Sequence, residues 1–414
     1  MNVLIVGKGG REHALAYTAS RDPLCENLYC APGNPGMATF ATCVPVKDSD
    51  VEGLLAFAKE HDVDLTIVGP EATLDLGIAD AFEKAGLKIF APTKAAAQVE
   101  SSKDFAKGLM AKYNIPTASY RTFTDLDEAL AYVNEQGAPI VIKEDGLKAG
   151  KGVTVAMNLE DALEAVKEAL KNEGDKVVIE EYLDGFEFSL IALVNGKTVV
   201  PLEVAQDHKR VGDKDTGPNT GGMGSYSPVR KITPALQKEA LETIVAPMAY
   251  ALADEGIPFT GFLYGGLMKT EDGLKTIEFN ARFGDPEAEV ILPRLESGFL
   301  QAIDQVMNNE TPDLKWTGKT SHGVVLASTG YPAGSTKGAA IDVDEDLEGM
   351  LFHMGTSLED GNQLVTDGGR VLMLVSLADD LESAMNMTYS QLDKIHSDEL
   401  FYRHDIGLKD LEEK

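Results

Sequence analysis

Residues 139–156 read PIVIKEDGLKAGKGVTVA: an apolar run ending in Lys143, a loop carrying Gly146, Gly150 and Gly152, and an alternating run from Val153. Two extended segments joined by a short glycine-bearing loop predict an antiparallel hairpin. Lys148 and Lys151 stand among the three glycines, and glycines let backbone N–H groups approach an anion closely. This is not a P-loop, which needs Ser or Thr after its Gly-Lys and a helix to follow; here Gly152 follows Lys151. The expectation is a phosphate held between two strands by Gly146, Gly150, Lys151 and Gly152. Lys143, closing its strand, and Lys103, at a helix start in Ser101-Ser-Lys-Asp-Phe-Ala106, are candidates for the same ligand.

The rest of the chain sharpens that expectation by contrast. Its 37 Lys and Arg against 67 Asp and Glu give a formal charge of −30, which repels nucleic acid and anionic lipid. Neither is expected as a partner. Clustered cations in so acidic a chain point to a small anionic ligand. No apolar run approaches the ~20 residues that span a bilayer, and a strand followed by glycines at residues 3–10 gives no expectation of a signal peptide. Cys25, Cys30 and Cys43 lack metal-binding spacing and read as reduced thiols, so a cytoplasmic location is expected.

Three units are expected. Val3–Val6 is a buried strand ending in glycines, Val51, Leu54, Leu55 and Ala58 share a helix face, and Leu65–Val68 is another strand. This alternation predicts an N-terminal open parallel sheet with helices on both faces over residues 1–98. Residues 99–315 read as an α+β mixture dominated by antiparallel hairpins, with a lobe over about 115–187. In that region a helical pattern runs from Ala95 to Tyr113, and Thr124 is expected to cap the next helix. Residues 316–414 read as a smaller β-rich unit.

Leu263–Lys269, Glu271-Asp-Gly273 and Leu274–Asn280 read as a hairpin. Side chains alternate along a strand, so Glu278 and Asn280 share one face while Ile277 and Phe279 pack into a core. Two hard oxygen donors one step apart suit Mg²⁺, which takes one or two protein oxygens beside phosphate oxygens. Arg282, Asp285 and Glu287 follow immediately in a turn. Farther upstream, His208, Lys209 and Arg210 are three potential cations in a row after Asp207. Gly217–Gly224, with four glycines in eight residues, reads as a loop that moves or touches a ligand by its backbone, and the two segments together suggest a lid over an anionic substrate. Glu180 and Glu181 close a strand near a possible nucleotide pocket. At the N-terminus, Gly7-Lys-Gly-Gly-Arg-Glu-His13 lacks the third glycine of the dinucleotide fingerprint, but the loop could hold a monophosphate at a helix N-terminus.

These stretches, in order over nearly the whole chain, resemble the phosphoribosylamine–glycine ligase family of the ATP-grasp superfamily. The resemblance rests on GKGGREHAL (7–15), APGNPG (31–36), GPEATLDLGIAD (69–80), SSKDFAKGLM (101–110), DGLKAGKGV (145–153), EEYLDGFEFS (180–189), QDHKRVGDKDTGPNTGGMG (206–224), IEFNARFGDPE (277–287) and GGRVL (368–372). It implies a central two-lobed ATP-grasp fold that binds ATP. The implied reaction joins glycine to 5-phosphoribosylamine through glycyl phosphate. It further implies that Glu278 and Asn280 hold Mg²⁺ or Mn²⁺, that Lys103 and Lys143 contact phosphate, that Glu180 to Leu183 form the adenine hinge, and that Glu187 accepts from ribose. Asp207–Arg210, Asn219, Thr220, Gly222, Met223, Gly224 and the catalytic pair Arg282 and Asp285 fall at substrate contacts. Gly9, Gly10, Arg11, Glu12 and Glu71 are expected to reach the ribosylamine. Lys148 departs from the family's usual small residue, and residues 381–414 diverge except for Arg403-His-Asp-Ile-Gly407. No appended catalytic domain is expected, and a monomer is. The competing readings are another ATP-grasp carboxylate–amine ligase, a non-catalytic nucleotide sensor and an NAD-dependent dehydrogenase. The QDHKR and GPNTGGMG segments, the intact Glu278 and Asn280, and the missing third glycine respectively count against them.

Overall fold

The structure is a computed structural model that describes residues 1–147, 152–359 and 362–412. Lys148, Gly150 and Lys151 of the glycine loop lie outside the described residues. Among those described, no helix is long and apolar enough to cross a membrane.

The chain begins with five parallel strands in the order Thr42–Cys43, Asn27–Pro32, Asn2–Gly7, Leu65–Val68, Ile89–Phe90. Val3 to Val6 are wholly buried, as a continuous apolar strand covered on both faces should be. The strand order reverses between Asn2–Gly7 and Leu65–Val68. Their carboxyl ends therefore open a crevice of the kind where such sheets bind ligands. Arg11 and Glu71 line the main cavity beside that crevice.

Two antiparallel sheets follow. One orders Thr198–Pro201, Phe186–Asn195, Thr260–Thr270 and Gly273–Asn280. The other orders Tyr120–Phe123, Val177–Glu181, Ile140–Glu144 and Val153–Ala156. The helices Leu126–Gln136 and Leu159–Ala169 cover the second sheet, packing Ala129, Val133, Ala162 and Val166 on Ile142 and Ile179. Asp125 caps the first of these helices by accepting from Glu128 N–H at 2.9 Å. The expected cap at Thr124 is thus one residue early, because a carboxylate competes well for that amide.

The helical run expected from Ala95 to Tyr113 is broken. Lys94–Ser101 and Lys103–Lys112 are separate helices, with Ser102 extended between them at φ −135° and ψ 110°. The Asp145 carboxylate of the glycine hairpin accepts from Lys103 N–H at 2.6 Å, holding the second helix's N-terminus against the loop.

A third sheet orders Gln206–Asp207, Gly224–Ser227, Thr320–Ser328, Arg370–Ala378 and Met350–His353, with Leu400–Phe401 beside Thr320–Ser328. It draws on residues from both sides of position 316. As a result Gly217–Gly224 is not a free loop. Met223 is fully buried, and a Cβ at Gly224 would lie 2.7 Å from the carbonyl oxygen of Gly323. Glycine at 224 permits close backbone packing, while Asn219, Thr220 and Gly221 of the same segment line the main cavity.

Candidate active site

The two antiparallel sheets and the N-terminal crevice enclose a cavity of about 320 Å³. Its lining mixes two chemistries: apolar Val99, Ala106, Met110, Leu147, Val153 and Ile277, and charged or polar Lys103, Lys143, Lys209, Glu278, Asn280 and Arg282. Ile277 was expected in the core with Phe279. Instead Gly266 pairs with Glu278 and Leu267 with Thr276, so Ile277 is the extra residue of a β-bulge. A bulge interrupts strict alternation, and Ile277 lines the cavity, as does Phe279, which also belongs to the buried core.

Lys143 ends its strand inside the protein. Its Nζ donates to Ile277 O at 2.9 Å and lies 3.0 Å from the Glu180 carboxylate. Lys107 reaches the same carboxylate at 2.9 Å and donates to Thr117 Oγ1 at 2.8 Å. Glu180, expected at the adenine hinge, is therefore a buried acid between two buried lysines. Burial pushes Lys107 down to about 8, against the pull of Glu180. Lys103 Nζ donates to Gly146 O at 2.9 Å, where Gly146 adopts a left-handed φ of +95°. Burial also lowers the Lys103 ammonium, with Glu278 and Asp145 opposing.

Glu278 and Asn280 both line the cavity. Burial alone would raise the Glu278 carboxyl, but Lys209, Lys143, Lys103 and Arg282 together hold it below its ordinary value. It is an anion ringed by cations. With its amide nitrogen donating to Glu100 Oε1 and Phe279 O, both at 3.2 Å, Asn280 leaves its carbonyl oxygen free to accept a ligand. Among the described residues no group of three or more His, Cys, Asp or Glu is arranged to hold a metal. The donor set fits a cation that takes only two protein oxygens and completes its shell elsewhere.

Arg282 Nη2 lies 2.9 Å from Glu100 Oε1, and its Nε 3.5 Å from Glu71 Oε2. Arg11 approaches Glu71 at 3.9 Å and donates to Phe283 O at 3.3 Å. This alternation of charge joins the N-terminal crevice to the turn after the putting-together of Glu278 and Asn280 on one wall. Burial works against the Arg282 charge, but Glu100 and Glu71 outweigh it and raise its pKa. Asp285 Oδ1 lies 2.9 Å from Arg370 Nη1, which also donates to Gly221 O at 2.7 Å.

Asp207, Lys209, Asn219 and Thr220 line the cavity. Lys209 Nζ pairs with Glu187, a residue expected to accept from ribose. His208 does not join Lys209 as a cation. Its ring is buried, its Nε2 accepts from Gly407 N–H at 3.1 Å, and burial drives its pKa down to about 3. Arg210 turns away to donate to Gly217 O at 2.7 Å. His208 and Lys209 lie between the strands Gln206–Asp207 and Arg210–Gly212, where no strand alternation fixes their direction.

Several expected contacts sit outside the cavity wall. Glu181 is exposed and accepts from Ser119 Oγ at 2.6 Å. Leu183, Glu187, Gly9, Gly10, Gly222, Met223 and Gly224 do not line it. Gly222 packs against Asp207 instead, with Asp207 Oδ1 2.4 Å from where its Cβ would be. Glu12 folds back on its own helix and accepts from Gly9 N–H at 2.7 Å. That carboxylate occupies the helix N-terminus, so a monophosphate expected there would meet a negative charge. Gly146 and Gly152 do line the cavity.

Glu287, singled out in the turn after Asn280, lines it too, as do Lys107, Glu100, Arg370 and Tyr264, which were not assigned. Lys107 was legible, since it stands one helical turn after Lys103. The others become neighbours of the site only through folding.

Comparison with known proteins agrees along the whole chain. Residues 1–100 match the phosphoribosylglycinamide synthetase N domain, 101–288 its ATP-grasp (A) domain and 321–409 its C domain. The chain is 50% identical over 421 residues to the phosphoribosylamine–glycine ligase of Halalkalibacterium halodurans, covering 100% of this chain and 98% of that one. The crystal structure of the Thermotoga maritima phosphoribosylamine–glycine ligase superposes with a TM-score of 0.87 at 34% identity, covering 98% and 100% of the two chains. The biotin carboxylase domain of Hydrogenobacter thermophilus 2-oxoglutarate carboxylase, in complex with MgADP and bicarbonate, shares the fold. It has a TM-score of 0.72 at 17% identity and covers 97% and 91%. With all three domain models matched in order over these residues, the chain belongs to the phosphoribosylglycinamide synthetase family.

Proposed function

We propose that the chain catalyses ATP + glycine + 5-phosphoribosylamine → glycinamide ribonucleotide + ADP + phosphate, a step of purine biosynthesis, and does so in the cytoplasm. The observation that carries this reading is the gathering of Lys103, Lys143, Lys209 and Arg282 around Glu278 in one cavity. It occurs in a chain that matches the ligase family end to end.

Phosphoryl transfer needs positioning and charge neutralisation more than a protein nucleophile. The apolar side chains of the lining suit a purine base, and the four cations suit a triphosphate and a carboxylate. In the proposed sequence the glycine carboxylate attacks the γ-phosphorus and ADP departs, leaving glycyl phosphate. The ribosylamine nitrogen then attacks the glycyl carbonyl carbon, phosphate leaves and the nitrogen gives up a proton. Arg282, held by Glu100 and Glu71, would steady an anionic oxygen during these steps. Glu278 and Asn280 would hold Mg²⁺ or Mn²⁺, which supplies charge neutralisation and alignment on the triphosphate when bound. An acyl phosphate hydrolyses in water, so enclosure of the cavity has a chemical purpose.

The test is ADP release measured with each substrate omitted in turn. Release that requires ATP, glycine and 5-phosphoribosylamine together, with glycinamide ribonucleotide as product, supports the reading. Equal release with another amino acid and no glycine would overturn it.

A further inference from the structure

The segment Arg403–Gly407 lies far from the cavity in sequence, yet it grips the piece of chain that forms one cavity wall. Arg403 is 1% exposed, and a guanidinium so buried must spend its donors on protein. Its fork meets Asp405 twice, at 2.8 and 2.9 Å. Its Nη1 donates to Arg210 O at 2.8 Å and to Asp215 Oδ1 at 3.1 Å.

The grip continues on either side. Asp405 Oδ2 accepts from Lys214 N–H at 2.7 Å, and Asp213 Oδ1 accepts from His404 N–H at 2.8 Å. Lys409 pairs with Asp215. Gly407 N–H donates to His208 at 3.1 Å, on the residue between Asp207 and Lys209. The gripping segment is itself held, since Tyr389 of the helix Leu381–Leu392 donates to Arg403 O at 3.0 Å and accepts from Ile406 N–H at 3.1 Å.

What is gripped is the small hairpin Arg210–Gly212 and Thr216–Asn219. Asp207 and Lys209 enter it, and Asn219 and Thr220 leave it, all four lining the cavity. Thr220 N–H and Oγ1 both donate to Lys209 O, at 2.7 and 2.9 Å, so the entering and leaving segments move together. The hairpin itself carries exposed residues over 213–218 and little apolar surface, so packing alone would leave it loose.

We propose that the C-terminal strap Arg403–Gly407 fixes the hairpin 210–219 and so sets the position of Asp207, Lys209 and Thr220 over the cavity. Arg403 and Asp405 are positioning residues: they touch no part of the cavity and act through the chain they hold. The choice of glycine as readout rests on the proposed ligase reaction.

Two variants test this. Arg403→Lys keeps the charge and loses the fork; Asp405→Asn keeps the shape and loses the charge. In both, hydrogen–deuterium exchange of peptides covering 207–220 is expected to rise while that of 140–156 stays as in the parent. The KM for glycine is expected to rise and kcat to fall by a combined factor of about 10 to 100, the scale for a slightly displaced binding group. The dissociation constant for ATP alone should rise less than the KM for glycine, since Lys103 and Lys143 stay in place. Asp405→Asn should be the milder of the two, since the Arg210 carbonyl still receives Arg403.

Unchanged exchange over 207–220 would overturn the strap. So would a fall in ATP affinity parallel to the loss for glycine, which marks general damage. Should Arg403→Lys not fold, Asp405→Asn and Asp215→Asn decide the matter by the same measurements. If the parent protein shows no glycine-dependent ADP release, the ligase reading fails and the exchange measurement still judges the strap.

Discussion

Arg282 reaches the cavity with its Nη2 held 2.9 Å from Glu100 Oε1. Glu100 also accepts from Ala281 N–H at 2.7 Å, so one acid fixes both the turn after the strand and the guanidinium on it. Burial raises the Glu100 carboxyl, with Arg282 opposing. Removing one partner of a buried pair leaves an uncompensated charge. Glu100→Ala should lower stability by about 3 kcal/mol in urea unfolding and cut turnover, whereas Glu100→Gln, still an acceptor, should cost less than half of that.

Glu278→Gln tests the cation site directly. The variant keeps the shape of the side chain and removes the anion around which Lys103, Lys143 and Lys209 gather. Turnover should fall by at least about 100-fold, as when a single preorganised electrostatic group is lost. The thermal midpoint should fall as well, because the gathered cations lose their counter-charge, but the variant should still fold. Turnover equal to the parent's would remove the metal assignment and leave Asn280 without a role.

Acid should unfold this protein early, through its buried imidazoles. Burial drives His13 and His208 to about 3, and His322 and His353 to about 4. Each takes up a proton in the unfolded chain near pH 6.5 but resists it in the native state. Stability is therefore lost as pH falls below about 6.5, and each group adds to the loss down to its folded value. The limiting slope is about 1.4 kcal/mol per pH unit for each group. Chemical denaturation between pH 7.5 and 4.5 checks this, and His322→Gln should flatten the slope by about one proton.

Lys107 predicts the opposite wing of the pH curve. Its pKa is lowered from 10.5 to about 8 by burial, despite Glu180. Between those values the unfolded chain holds a proton that the native state has released, so this group makes stability rise with pH across that window. Unfolding free energies of the parent and of Lys107→Met should therefore diverge in slope between pH 8 and 10.5. Parallel curves would show that the Lys107 ammonium is no more costly inside the protein than outside.

Gly222→Ala tests packing rather than charge. Gly222 has φ +113°, and an added Cβ would stand 2.4 Å from both Asp207 Oδ1 and Pro286 Cδ. The backbone conformation itself disfavours any other residue. Activity should drop through displacement of Asp207, with the KM for ATP nearly unchanged and that for glycine raised.

Much of the architecture can be read from short-range pattern. Val3–Val6 and Leu65–Val68 are strands, the glycine hairpin joins Ile140–Glu144 to Val153–Ala156, and Glu278 and Asn280 share a wall of the cavity. Each rests on side-chain periodicity or turn chemistry over fewer than about 20 residues, where the backbone itself dictates direction. Where a bulge intervenes, as at Ile277, periodicity alone misplaces a side chain.

The sequence by itself determined that strands, glycine turns and a pair of oxygen donors would exist, and which residues could carry charge. Only the tertiary structure decided which charges face a ligand. His208 became a neutral acceptor because burial drives its pKa down and Gly407, 199 residues away, donates to it, and Arg11 meets Phe283 across 272 residues. A side chain's ionisation and role depend on its desolvation and on its partners, and those are set by contacts that local pattern does not encode.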